Sequence, residues 1–220
     1  MGQRLNIEIT DNKGTELANC YYHWSAYSLS SLEEAMTVIS NFDKLRKEIA
    51  DNTLLAIRMF ENCENAGLCE ESYTAATEKY PNETFKKGTD RNNGLISITE
   101  SDMNETRMYE EGRITINVDS KTIDFNVYFD TSDDSENLMY EAIEKKYGRD
   151  ADPVNYSDEI IKEAIDEYTE NCPKIAENFS FDLENIPFDK IEEFYNFLKD
   201  AADKGLYTLK YNETLICLIA

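Results

Sequence analysis

Residues 114–129 have the sequence ITINVDSKTIDFNVYF, in which apolar and polar residues alternate on both sides of a short polar turn. Alternation with a period of two is typical of β-strands that have one buried face. The turn itself, Asp119-Ser120-Lys121, has the composition of a tight connection between two strands. This stretch therefore predicts a β-hairpin.

Two further hairpins are predicted at the ends of the chain. Near the start, residues 3–9 alternate, residues 11–14 (Asp-Asn-Lys-Gly) favour a turn, and residues 17–24 form a second extended run. Near the end, residues 207–211 and the apolar residues 215–219 flank a turn at Asn212-Glu213. We expect the last strand to be buried within the same sheet.

Helices are predicted between the hairpins, because apolar residues recur there at helical spacing. The first covers about 31–50 and is expected to start with a capping box formed by Ser31 and Glu34. The others cover about 53–66, 70–79, 135–147, 157–172 and 189–204. Short strands are predicted at 96–98 and 179–183, whereas the segment 100–112 is ambiguous.

These elements predict an α+β fold, with a largely antiparallel sheet built from hairpins and several amphipathic helices packed on one side of it. We expect a single domain over residues 1–220, since 220 residues suffice for one large core. Within it lie a polar loop at 81–94, which could be mobile, and an acidic helical region at 130–203.

Composition excludes several classes of function. The net charge of −23 excludes unaided binding to DNA, RNA or anionic lipid, because such binding needs an excess of Lys and Arg. No apolar run is long enough to span a membrane, and the N-terminus has no signal-peptide pattern, so we expect a cytoplasmic protein. The five cysteines are scattered and are expected to be reduced.

Motifs for catalysis or cofactor binding are absent from the sequence. There is no phosphate-binding glycine loop, and the only histidine, His23, is not part of a recognisable triad or zinc-ligand pattern. We therefore expect no enzymatic activity, no metal and no cofactor. For His23 we favour a packing role in an aromatic cluster with Tyr21, Tyr22, Trp24 and Tyr27.

Acidic residues are concentrated in the latter part of the chain. Residues 130–203 contain 22 Asp and Glu but only 7 Lys and Arg. Helical spacing places five carboxylates on one face, and they are Glu159, Glu163, Asp166, Glu167 and Glu170. Glu159 to Glu170 span about 16 Å of helix, over which a DNA strand has about five phosphates. This face could imitate a nucleic-acid backbone, although a merely solvated face is the simpler interpretation.

The first thirty residues resemble a set of small phage-encoded proteins of unknown function. These begin with Met-Gly-x-Arg and continue, after a hairpin, with Tyr-x-His-Trp-Asp-Gly-Tyr. Arg4, Tyr22, His23, Trp24 and Tyr27 lie within the similar part of this chain, whereas Ser25-Ala26 replaces Asp-Gly. The resemblance implies a phage origin, and therefore a location in the cytoplasm of an infected bacterium.

Together, charge and resemblance predict an anti-defence protein that inhibits a basic, nucleic-acid-binding immune factor, such as a CRISPR effector or a nuclease. Three alternatives stay open. One is a protein that sequesters a small signalling nucleotide through Lys86, Lys87 and Arg91, or through Arg4 beside Tyr22. Another is an enzyme that uses His23 with a carboxylate or with Cys20. The third is a non-catalytic structural or accessory protein of the phage.

Overall fold

The computed structural model describes residues 3–26, 29–89, 94–108, 110–126, 128–129, 135–170, 185–203, 208–210 and 215–217. The helices are α1 Ser30–Ile39, α2 Phe42–Glu48, α3 Asn52–Phe60, α4 Glu70–Lys79, α5 Glu100–Arg107, α6 Ser135–Tyr147, α7 Asp158–Glu170 and α8 Ile191–Asp203. The strands are β1 Leu5–Thr10, β2 Glu16–Tyr22, β3 Gly67–Leu68, β4 Leu95–Ser97, β5 Gly112–Asn117, β6 Thr122–Asn126, β7 Tyr128–Phe129, β8 Ile186–Pro187, β9 Thr208–Lys210 and β10 Leu215–Cys217.

The α+β class is confirmed, and the main sheet has the strand order β3-β4-β2-β1-β5-β6-β8. The first two predicted hairpins are present as the antiparallel pairs β1–β2 and β5–β6. The sheet is mixed rather than purely antiparallel, because β1 pairs in parallel with β5 and β3 in parallel with β4. The parallel pairing of β1 and β5 joins the two hairpins into one sheet.

Alternation along β1 separates the two faces of the sheet. Leu5, Ile7 and Ile9 are fully buried in the main core, to which α1, α3 and α8 contribute their apolar residues. Asn6 and Glu8 point to the opposite face. There they contact α5, so the prediction that helices cover only one side is wrong.

The predicted helix over 31–50 is two helices. The chain leaves helical geometry at Asn41, where φ is −111° and ψ is 10°, and α2 begins at Phe42. The Ser40 hydroxyl donates a hydrogen bond to the Thr37 carbonyl, 2.8 Å away, at the end of α1. Ser31 does not cap α1, since the helix already starts at Ser30 and Ser31 is buried inside its first turn.

The C-terminal hairpin lies in a second sheet. β9 and β10 pair with each other and, through β9, with β7, in the order β10-β9-β7. The expectation that the last strand lies within the main sheet is therefore wrong. The strand predicted at 179–183 falls outside the described residues. No helix in the described part of the chain is long and apolar enough to cross a membrane.

The loop predicted at 81–94 is described up to residue 89 and at residue 94. Its residues 86–88 are bound to β3, because the Leu68 amide donates to the Lys86 carbonyl and the Gly88 amide donates to the Leu68 carbonyl, both over 2.8 Å. The helix predicted over about 53–66 ends at Phe60, and Gly67 begins β3.

Close approach of this loop to β3 requires glycine at position 67. A Cβ there would lie 2.6 Å from the Gly88 nitrogen and 2.7 Å from the Lys87 carbonyl carbon, both of which are backbone atoms. We expect Gly67→Ala to lower the free energy of unfolding by about 2 kcal/mol, as overpacking usually does. Urea denaturation measures the change.

Gly14→Asn is the matched control, since its Cβ would meet open space and asparagine tolerates the φ of +74°. This control should unfold like the wild type. Equal stability of Gly67→Ala and the wild type would contradict the account of this contact.

Candidate functional site

Helices α6 and α7 pack against each other and form the acidic helix pair, residues 135–170. Ala142, Ile143 and Ala164 form a buried cluster of their own, separate from the main core. Tyr156, Ile161, Ile165 and Tyr168 are among the half-buried residues that complete it. The pair therefore carries its own hydrophobic contacts, and the charges on α7 are free to face outward.

The five predicted carboxylates all lie on α7. Glu159, Glu163, Asp166 and Glu167 are exposed, and the side chain of Glu163 is 72 % accessible. Glu163 lies four residues after Glu159 and three or four before Asp166 and Glu167, which places the four along one face of the helix, opposite the buried Ala164 and the half-buried Tyr168. Glu170 is the last residue of α7, and its side chain lies outside the described part.

Two lysines lie among these carboxylates, and one of them comes from the other helix. Lys146 Nζ of α6 is 3.2 Å from Glu163 and 2.8 Å from Glu167, and hydrogen bonds to Glu167 and Glu163 raise its pKa. Lys162 Nζ lies 2.6 Å from Asp166. Glu159 makes no ion pair within the described residues. The face is thus acidic, but less so than the spacing on α7 alone indicates.

Tyr22, one of the residues within the N-terminal resemblance, lies in the main core. Its ring is buried beside Cys20 and Cys63, and burial raises the pKa of its hydroxyl well above the ordinary value. Tyr27 lies outside the described residues. Among the described residues, no ring contact joins Tyr22 to His23 or Trp24.

His23 lies between two other aromatic side chains. Its Nδ1 is 2.8 Å from the Tyr21 hydroxyl, with which it shares a hydrogen bond. The Trp24 ring packs edge-on against it at a centroid distance of 4.7 Å, and Trp24 is 56 % exposed. These contacts account for His23 as a packing and hydrogen-bonding residue.

The basic residues predicted to hold a nucleotide do not converge. Arg4 lies 3.8 Å from Glu111, and Lys87 forms an ion pair with Glu70. The Lys86 carbonyl accepts the hydrogen bond from β3, and Arg91 is outside the described residues. This geometry gives no support to a nucleotide site at these positions.

A charged cluster that the sequence analysis missed lies beneath α5. Arg107 donates two hydrogen bonds to Glu8, from Nε at 3.0 Å and from Nη2 at 2.7 Å, and also pairs with Glu16. Arg113 Nε of β5 is 3.5 Å from the same Glu8 carboxylate, which is only 7 % exposed. Burial alone would lower the pKa of Arg107, but hydrogen bonds to Glu16 and Glu8 outweigh it and raise the pKa.

Only one signal in the sequence could have indicated this cluster. The polar residues that alternate with Leu5, Ile7 and Ile9 predict a second, polar face on β1. The contact of Glu8 with Arg107 and Arg113 could not be predicted in this way. It depends on the parallel pairing of β1 with β5, which brings together residues about a hundred positions apart.

Among the side chains that the structure describes, Cys20 and Cys63 form no disulfide, and burial raises the pKa of the Cys63 thiol to about 12. Within the described residues, no three His, Cys, Asp or Glu side chains are placed to hold a metal ion.

Glu34, on α1 beside Cys63, gives a testable dependence of stability on pH. Burial, with a smaller contribution from the charge of Glu33, raises its pKa above the ordinary value of 4.5. The folded state therefore binds this proton more tightly than the unfolded state. Glu34 thus costs stability as the pH rises from about 4.5 through the raised pKa. We expect Glu34→Gln to raise the melting temperature at about pH 7 but to change it little at about pH 4.

Thermal denaturation at the two pH values measures this effect. Glu48→Gln, at an exposed position on α2, is the control and should shift the melting temperature little at either pH. An equal shift for Glu34→Gln at both pH values would show that its charge is not the cause.

No protein-family model matches the sequence, and no curated protein or solved structure matches it either.

Proposed function

We propose that this chain is a phage-encoded anti-defence protein that acts by binding rather than by catalysis. Its partner is a basic, nucleic-acid-binding bacterial immune factor, either a CRISPR effector or a nuclease. The observation that carries the proposal is the exposed carboxylate row of α7, which we call the acidic face and define as Glu159, Glu163, Asp166 and Glu167.

The acidic face has a charge spacing suited to a groove that binds phosphates. Glu159 to Glu167 cover eight residue steps, or about 12 Å of helix. Four carboxylates along this length compare with roughly three or four phosphates along one DNA strand. Lys146 and Lys162 would have to share their carboxylates with the arginines and lysines of the partner. The exposed pair of Lys162 with Asp166 exchanges at little cost, whereas the Lys146 side chain is only 21 % accessible.

Net charge supports the same kind of partner. A chain with a net charge of −23 attracts a cationic surface over distances comparable with the Debye length, so association is fast and sensitive to salt. The acidic helix pair has eleven acidic and four basic residues, and it holds its own hydrophobic cluster. It can therefore present these charges without disturbing the main core.

A binding role also fits the one imidazole of the chain. His23 bonds to Tyr21 and packs on Trp24, contacts that fix its ring but do not activate a nucleophile. The resemblance of the first thirty residues to phage proteins supports the proposed origin.

DNA cleavage by purified immune nucleases tests the proposal. A guide-loaded CRISPR effector and several restriction endonucleases are assayed with and without the protein, at low and high salt. We expect inhibition of at least one of them, relieved by salt and by excess non-cleavable DNA. Inhibition of none, or inhibition that excess DNA does not relieve, would favour a structural or accessory role.

A further inference from the structure

A cleft of about 850 Å³ lies outside the acidic helix pair. It is formed by the end of α1, the start of α2, the β5–β6 turn and the start of α8. Its volume is within the range of small-molecule sites. None of its lining residues belongs to the acidic helix pair, so this cleft is independent of the acidic face.

The floor of the cleft is aromatic and apolar. Phe42 and Phe188 meet edge to face at a centroid distance of 5.3 Å, and Tyr195 and Ile39 extend this surface. Phe188 and Tyr195 are half-buried, so part of each ring is accessible from the cleft. Aromatic surfaces of this kind stack the planar bases of nucleotides.

Lysines from two elements contribute to the rim. Lys44 is on α2, and Lys121 is on the β5–β6 turn, where its backbone is held in the left-handed region at φ 56°. Lys121 Nζ lies 2.6 Å from Asp43 and 5.2 Å from the centroid of the Phe42 ring. An ammonium group has three donors, and Asp43 is the one hydrogen-bond partner of Lys121 Nζ within the described residues, which leaves two donors for a phosphate.

Carboxylates and amides complete the rim. Asp189, just before α8, and Glu192, in its first turn, form no ion pair within the described residues, and Asn196 lies one turn beyond Glu192. Carboxylates accept hydrogen bonds from the exocyclic amino groups of cytosine and adenine and from ribose hydroxyls. The rim thus combines phosphate donors with acceptors for a base or a sugar.

Charge limits the form of the ligand. Lys44 and Lys121 contribute two positive charges, and Asp43, Asp189 and Glu192 contribute three negative ones. A triphosphate would add about four negative charges to a cleft that is already slightly negative. A nucleotide with only phosphodiester charges would add one per phosphate and meet much less repulsion.

We propose that this cleft binds a nucleotide whose phosphates are diesters, with an amino-bearing base on the Phe188 and Tyr195 rings and a phosphate at Lys121 and Lys44. The proposal does not depend on the acidic face. The residues that line this cleft differ from Arg4, Lys86, Lys87 and Arg91, which were named from the sequence as a possible nucleotide site.

Calorimetric titration of the full chain with cyclic di-AMP, AMP, UMP and ATP tests the proposal. We expect saturable binding of cyclic di-AMP, weaker binding of AMP, and the weakest binding of UMP and ATP. Lys121→Asn retains a residue that tolerates positive φ but removes the ammonium, and it should weaken binding roughly tenfold or more. Lys47→Gln, on α2 but not in the cleft, should bind like the wild type.

Two results would overturn the proposal. One is the absence of saturable heat for all four nucleotides up to about 1 mM. The other is binding that neither Lys121→Asn nor Glu192→Gln weakens, because the nucleotide would then occupy another site. Circular dichroism melts of both variants establish that they are folded.

Discussion

Replacement of the acidic face by amides, in a variant that combines Glu159→Gln, Glu163→Gln, Asp166→Asn and Glu167→Gln, is expected to weaken binding to the inhibited nuclease by roughly 100-fold. If each carboxylate contributes roughly 0.7 kcal/mol, within the range of exposed charge pairs, four contribute about 3 kcal/mol. The amides keep the size and most hydrogen bonds of the side chains. Titration of nuclease inhibition measures the change.

Amides are a sharper test than charge reversal at these positions. A lysine at Glu163 or Asp166 would face Lys146 or Lys162. The resulting repulsion would lower stability, so a loss of binding could not be separated from a loss of folding.

The matched control removes four charges elsewhere. Glu48, Glu64, Glu71 and Glu78 are exposed and lie outside the acidic helix pair, so their replacement by Gln removes the same number of negative charges. We expect this control to lose only a few-fold in affinity through weaker long-range attraction. An equal loss in both variants would show that net charge, and not the acidic face, determines binding.

The second large effect concerns stability. Glu8→Leu should lower the free energy of unfolding by about 3 kcal/mol, because Arg107 of α5 and Arg113 of β5 would both lose the buried carboxylate that they contact. This loss of stability is at the lower end of the range for broken buried ion pairs, because both arginines are partly exposed. Guanidinium chloride denaturation measures it.

A double variant separates the charge effect from packing. Glu8→Leu with Arg107→Met removes both members of the strongest pair and should recover part of the lost stability. Full stability of Glu8→Leu alone would contradict the structural role assigned to this cluster.

Helices and hairpins were predictable where the apolar pattern and the turn that determine them lie within one short stretch of sequence. The hairpin predicted over 114–129 has its alternation and its turn in one stretch, and α4 has its helical pattern between Glu70 and Lys79. The helix is present as predicted, and the hairpin is present up to residue 126, whereas Tyr128–Phe129 form β7 in the second sheet. The break at Asn41 was missed because apolar spacing continues through it from Ile39 to Leu45, although the backbone does not.

Pairings between distant segments were not predictable in the same way. Nothing within β1 indicates that its neighbour is β5 in parallel rather than another hairpin strand, because this choice depends on packing of the whole sheet. The position of α5 on the opposite face follows from that pairing.

In the candidate site, too, features set by one segment were predictable and contacts between segments were not. Helical periodicity alone placed the carboxylates of α7 on one face, and the structure shows the four whose side chains it describes exposed there. The presence of Lys146 among them depends on how α6 packs against α7, which periodicity does not determine. The cleft between α1, α2 and α8 depends on four separate segments and left no local pattern in the sequence.

Competition between the protein and DNA for an inhibited nuclease, measured across a salt series of roughly 50 to 300 mM, tests most directly whether a cationic groove receives the acidic face. We expect DNA and the protein to exclude each other from the nuclease. The affinity of the protein for the nuclease should fall at least about tenfold over this range. A ternary complex with DNA, or an affinity that salt leaves unchanged, would contradict it.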